Sequence, residues 1–369
     1  MTRLNSVATA FAAAALLASS FVSADHHGGA HTSSITKIDS NEFGIDAKEI
    51  ADVKAQMQAA VDGGFIAGNI LLVGNSEGVG VLETAGTQGP GQSTPMDEQT
   101  LFRIYSMTKP IVSVATMTLV EDGLLAISDP VSKYIPEFAN MTVINEETGA
   151  ITPAANEMTV QDLLTHESGL IYGIFDPQSE LGKMYFQAGS LRSDITALTL
   201  AQNLAALPLR FEPGTKWNYS RSTDVLGAVI EVAAGKPLDA LLNERIFAPL
   251  GMGETTFFVD VSKAARIAHP IHGEMADPTI VTPMLSGGGG LHSTTEDYVR
   301  FASMLLGGGE YNGTRILEAD TLTAMQQKFI GDSVDRSAYF FGSRGDWGLG
   351  FHLQPIPGAD NEGPFNFGW

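Results

Sequence analysis

The pattern that organises the chain is the apolar stretch from Pro110 to Val120, where Ile111, Val112, Val114, Ala115, Met117, Leu119 and Val120 leave almost no polar face. A helix of that make-up is buried on every side. Glu121-Asp122-Gly123 ends it, with the glycine where a left-handed residue closes a helix, and Pro110 falls in the first turn, where it removes at most one intrahelical bond. Upstream, Asp46 to Val61 reads as an amphipathic helix stopped by Gly63-Gly64, and residues 69–73 and 80–84 read as two short strands. Downstream the chain is mostly helix and loop to about Leu285. Thr159-Val160-Gln161-Asp162 is a capping box that opens a short helix, and Val225, Leu226, Val229, Ile230 and Ala233 mark one face of a helix ended by Gly235. Ser293-Thr294-Thr295-Glu296 is a second capping box, with a helix running to Leu306 and the stop Gly307-Gly308-Gly309. Residues 347–353 and 365–369 read as strands. Strands at both ends of a helical middle predict one sheet shared between the two ends of the chain.

With 369 residues, 44% of them hydrophobic, the chain buries a large core, as two lobes or as one domain with a large insertion. Its 21 Lys and Arg against 42 Asp and Glu give a net charge of −21, which repels phosphate backbones and anionic membranes and argues against nucleic acid as a partner. The absence of cysteine removes disulfides, thiolate metal sites, a cysteine nucleophile and a lipoprotein anchor together. Residues 1–24 carry Arg3, a short Ala/Leu/Val/Phe run from Val7 and small residues before Ala24, the composition of a secretory signal peptide; the run is short and alanine-rich for the rival reading, a membrane anchor. The remainder is expected to be exported, to the periplasm or the medium. Residues 25–44 read as a flexible segment. Should Asp25 become the first residue, its amine and His27 would form a copper- or nickel-binding pattern, to which a disordered His-rich tail bearing His26, His27 and His31 is the alternative.

The candidate chemistry sits at the mouth of the apolar helix, in Arg103-Ile104-Tyr105-Ser106-Met107-Thr108-Lys109-Pro110. Three residues turn a helix by about 300° and raise it by about 4.5 Å, so Ser106 and Lys109 share a face, a nucleophile beside a candidate base. A serine hydroxyl needs such a base to attack an acyl carbon, and the amine must be brought from about 10.4 toward about 7 by burial and a positive neighbour. A core helix with a serine N-cap and a solvated lysine fits the same pattern. A second S-x-x-K, Ser34 to Lys37, has no apolar helix after it. Gly74-Asn75-Ser76-Glu77-Gly78 matches the G-x-S-x-G elbow, but a strand follows it where the elbow demands a helix, so a hairpin turn is the reading. Tyr219 stands on a loop just ahead of the helix containing Val225, a rigid mount for a functional side chain or a surface aromatic over the loop. Gly287 to Gly290 lacks the Lys-Ser/Thr of a phosphate loop and reads as a place of close backbone packing. Arg344-Gly345-Asp346 matches an adhesion tripeptide and is read as incidental.

Four landmarks in order, Tyr105-Ser106-Met107-Thr108-Lys109-Pro110, Leu163 to Leu170 with His166-Glu167-Ser168-Gly169, Pro213 to Ser220 with Trp217-Asn218-Tyr219, and Gly287-Gly288-Gly289-Gly290-Leu291, resemble the class C β-lactamase-like serine hydrolases. Their esterase branch, often called family VIII carboxylesterases, is the nearest likeness, over residues 45–369. The resemblance implies an α/β (α+β) fold of the β-lactamase/transpeptidase type: an antiparallel sheet flanked by helices, from residues 45–105 and 286–369, plus a mostly helical lobe at about 106–285. It further implies Ser106 as nucleophile, Lys109 as the residue that holds and moves its proton, and Tyr219 as acid or base toward the leaving group. Backbone N–H groups, one from Ser106, would hold the oxyanion. Tyr105 and Trp369 would contact the substrate, a small ester or amide, and neither metal nor cofactor is implied.

Two departures from the family pattern matter. Arg221 stands where the β-lactamases carry the Asn of Tyr-x-Asn, which favours esters over lactams. The third motif, commonly Trp-Gly-Gly in the esterase branch, is represented by Trp369 alone, so the chain reads as a fragment whose C-terminal strand is truncated, poorly active or unstable. The function implied is an exported serine hydrolase acting on small carboxylic esters through an acyl-enzyme. A β-lactamase or D-alanyl carboxypeptidase, and an impaired binding protein on the same scaffold, are the alternatives.

Overall fold

A computed structural model describes residues 35–75, 78–340, 345–356 and 365–369. The segment 1–24, read in the sequence as a signal peptide, and His26, His27, His31, Ser34, Ser76 and Arg344 lie outside the described residues. The first helix, α1 (Ala47–Asp62), opens with a capping box between Asp46 and Glu49 and buries only Met57, so it lies on the outside. Strands β1 (Gly68–Gly74) and β2 (Val79–Gly86) form an antiparallel hairpin with Leu72 opposite Leu82, as the strand pattern predicts. Residues 35–44, counted in the sequence with the flexible start, lie along β2: Val79 N–H donates to the Thr36 carbonyl and Ile38 N–H to that of Val79.

Strand β3 (Phe102–Arg103) leads through a 3-10 turn, Tyr105–Met107, into α2 (Thr108–Glu121). Every residue of α2 from Thr108 to Leu119 is buried, and Gly123 takes φ +70° just past its end. Each fully buried aliphatic side chain contributes about 1.5–3 kcal/mol, so α2 is the spine of the core. Against it packs α4 (Ser222–Ala234), ended by Gly235 at φ +63°, and on α4 in turn packs α3 (Val160–Thr165), whose predicted Thr159–Asp162 capping box is present.

Strand β4 (His292–Ser293) pairs antiparallel with β3 and ties the two ends of the chain together. Helix α5 (Thr295–Leu306) begins one residue later than the sequence suggests: Thr294, not Ser293, is the cap, and it accepts from Asp297 N–H. Ser293 is instead buried, its hydroxyl 2.8 Å from that of Thr255. The predicted strand at 347–353 is broken into β5 (Asp346–Trp347) and β6 (His352–Pro355), which pair with each other, while β7 (Phe365–Gly368) pairs with β6. The break is a tight turn: Gly348 N–H donates to the Phe351 carbonyl at 2.8 Å and Gly350 takes φ +89°, a position where a Cβ would collide with the Ser113 hydroxyl of α2 and only glycine fits. The single shared sheet is also corrected. Among the described residues the β1–β2 and β7–β6–β5 ladders do not join, and the short β3–β4 pair is the link.

Candidate active site

Ser106 does not sit on the helix proper but in the 3-10 turn before it. There the repeat is three residues, so Ser106 and Lys109 line up as they would across an α-helical turn. Met107 occupies the N-cap of α2, with no side-chain cap, so Ser106 is not a structural cap. Tyr105 reaches the turn at φ +43°. Only three non-glycine residues among those described have positive φ, and two of them, Tyr105 and His166, flank this site. Such a backbone costs about 1–2 kcal/mol per residue and persists where its surroundings impose it.

Lys109 is 1% exposed, which excludes the solvated lysine of the alternative reading. Its Nζ donates to the Gly288 carbonyl at 2.5 Å and to the Tyr172 hydroxyl at 3.0 Å, and lies 3.3 Å from Ser106 Oγ. Three partners match an amine with two hydrogens and a lone pair as well as an ammonium with three hydrogens. Burial brings the amine down to about 7; the carboxylate of Asp224 opposes that fall and the guanidinium of Arg221 adds to it. The phenol of Tyr219 donates to Ser106 Oγ at 2.6 Å from the other side, with its ring 4.6 Å from Nζ. Burial raises that phenol, so it is protonated at neutral pH.

Tyr219 is no surface aromatic. It stands on the loop ahead of α4, packed on the ring of His166 with centroids 4.8 Å apart and flanked by Trp217. His166 is fully enclosed, accepts from Ser220 N–H through Nδ1, and is held neutral by burial and by the nearby Lys109 charge. Trp369 packs over Tyr219 at 5.2 Å and against Trp347 at 4.6 Å, so the structure brings it to the site. Tyr105 is different: its ring is half exposed at the rim and its hydroxyl lies 3.4 Å from Met275 Sδ.

Sequence reasoning missed Tyr172, three residues past the Gly169 landmark, and Asp224, whose i, i+3 spacing from Arg221 was the available signal. It also missed Phe175 and Phe340, 70% and 58% exposed, whose rings contact Tyr219 at 6.4 and 5.8 Å and make the rim apolar. Exposed rings beside this polar cluster form an apolar surface at the mouth of the candidate site. Among the described residues no cluster of three or more His, Asp or Glu could hold a metal ion, and no helix is long and apolar enough to cross a membrane.

The beta-lactamase family model matches residues 53–369. Protein Rv1367c of Mycobacterium tuberculosis is 33% identical over 314 residues, which cover 82% of this chain and 77% of that protein. Esterase EstB of Burkholderia gladioli is 34% identical over 249 residues, 65% of this chain and 59% of the esterase. Among solved structures, EstCE1, described as a hydrolase with promiscuous acyltransferase activity, superposes with a TM-score of 0.67 at 26% identity over 83% of each chain.

Proposed function

The chain belongs to the beta-lactamase family and is a serine hydrolase with the mixed helix and strand fold of that family, and on that premise we propose that it cleaves small carboxylic esters through an acyl-enzyme on Ser106. The observation that carries this reading is a hydroxyl placed 3.3 Å from a buried amine and 2.6 Å from a protonated phenol. In the proposed cycle, neutral Lys109 takes the Ser106 proton as Oγ attacks the acyl carbon. Tyr219 gives its proton to the departing alkoxide, and the proton held on Lys109 restores the phenol. The backbone N–H of Ser106 faces the developing oxyanion, and water then releases the acid.

Esters are favoured over β-lactams because Arg221, in the place of the lactamase Asn, is committed to Asp224 at 3.0 Å and to the Tyr172 ring at 4.9 Å. The apolar rim of Phe175 and Phe340 supports a substrate with an uncharged acyl or alcohol group. We place the reaction in the periplasm or outside the cell, on the strength of the signal peptide read at 1–24. Mass spectrometry of enzyme quenched during turnover of a short-chain nitrophenyl ester is expected to find the acyl mass on Ser106. An acyl group on another residue, or faster turnover of a chromogenic cephalosporin than of the ester, overturns the reading.

A second reading, acyl transfer, is favoured by the likeness to EstCE1 and differs only in the last step, with an alcohol replacing water. Added short alcohol would then speed nitrophenol release and yield a new ester.

A further inference from the structure

The glycine run and the first turn of α4 meet around one buried carboxylate that no step above employs. Asp224 is 1% exposed and accepts from three groups: Ser286 Oγ at 2.5 Å and Gly288 N–H at 3.1 Å on Oδ1, and Arg221 Nη1 at 3.0 Å on Oδ2. The Gly288 residue is thus gripped twice, its N–H by Asp224 and its carbonyl by the Lys109 amine at 2.5 Å. Only glycine permits this approach. A Cβ on Gly288 would lie 2.6 Å from Asp224 Oδ2, and one on Gly287 would lie 2.5 Å from the Thr223 carbonyl oxygen. Arg221 approaches the amine by another route, its guanidinium over the ring of Tyr172, whose hydroxyl is 3.0 Å from Nζ.

The amine therefore lies between an anion and a cation, each one group removed from it. The other titratable groups facing it are Tyr219 from the loop before α4, Tyr172 from the loop after α3, and His166 at the end of α3. Burial keeps all three neutral near pH 7. Asp224 keeps its charge despite burial, because Arg221 and the Ser286 hydroxyl hold it ionised.

We propose that Asp224 and Arg221 are a positioning pair for the reaction of this site: Asp224 aims the Gly288 carbonyl at the Lys109 amine, and the two opposite charges together set the pH at which that amine becomes a base. The inference rests on the Ser106–Lys109 reading above. Neither residue touches the reacting atoms; both act through Gly288 and Tyr172.

The test is the pH dependence of Ser106 labelling by a fluorophosphonate probe in the full-length protein. Reaction follows the neutral amine, so the rate rises with pH through the amine's titration. Asp224→Asn removes the charge that holds the proton on, and the rising limb should move to lower pH by about one unit; Arg221→Gln should move it up by a similar amount. The double variant should return it toward the wild-type position, and Arg221→Lys, which keeps the charge, should leave it near there. A merely structural role predicts slower labelling without opposite displacements. Limbs that stay in place, or that move the same way in both variants, overturn the proposal. Should Asp224→Asn fail to fold, Arg221→Gln against Arg221→Lys still decides: a limb raised only in the glutamine variant supports the pair, and one unmoved in both refutes it. Failure of the wild-type protein to label at Ser106 would instead remove the underlying reading.

Discussion

Helices α1 and α2 each carry lysine, and the chain treats the two helices in opposite ways. On α1, Lys48 is 80% exposed and forms an i, i+4 pair with Asp52 at 2.7 Å, which raises its pKa above the usual lysine value. On α2, Lys109 is 1% exposed and its amine meets two hydroxyls and a carbonyl, with no carboxylate in contact among the described residues, and burial brings it to about 7. The side chain is the same; the difference lies in what surrounds it. Placing a lysine in a helix without a polar face turns a solubilising charge into a candidate base, at a cost in stability.

The sharpest way to break this contrast is Lys109→Met, which should slow acylation of Ser106 by about 10²–10⁴-fold, measured with a nitrophenyl ester. The same variant should be more stable than the wild type at low pH. With a pKa of about 7 in the folded protein and an ordinary value near 10.5 unfolded, the unfolded state binds more protons between those limits, so wild-type stability climbs as pH rises through that window. The handicap is greatest below pH 7, about 5 kcal/mol, and disappears above pH 10.5. Melting curves at pH 6 and pH 9 should therefore show the Met variant's advantage shrinking; a constant gap would contradict a buried neutral amine.

Smaller in effect, Tyr219→Phe keeps the ring on His166 but removes the proton donor, and should lower kcat by about 10²-fold for an ester with a poor leaving group. With a nitrophenolate leaving group, which needs little protonation, the loss should be smaller, and equal losses would argue against the acid role. Leu119→Ala, in the buried stretch of α2, should cost about 2–5 kcal/mol in denaturant unfolding through the cavity it leaves. At the other end of the scale, Lys48→Met on α1, at a solvent-screened surface pair, should leave both the melting temperature and ester turnover at their wild-type values. An effect as large as that of Leu119→Ala would undo the distinction between the two helices.

Much of this contrast was legible before any coordinates. The apolar run, the Gly123 stop, the Asp46–Val61 helix and the Thr159 box depend on contacts within four residues, and such contacts are written in local spacing. The errors were local competitions settled from afar. Ser293 lost the cap of α5 to Thr294 because Thr255 claims the Ser293 hydroxyl, and the strand at 347–353 gave way to the Gly348–Phe351 turn, whose Gly350 lies against Ser113 of α2.

The chain's pattern by itself determined that a serine and a lysine would stand one turn apart at the head of a helix with no face for water, because hydrophobic periodicity and turn residues act over short stretches. The tertiary structure alone decided that this lysine meets the carbonyl of Gly288, 179 residues away, and that Tyr219 reaches Ser106 across 113 residues. It also decided that Tyr172, Arg221 and Asp224 gather around the amine. Desolvation and charge balance are sums over everything that closes around a group, and no spacing along the chain contains that sum.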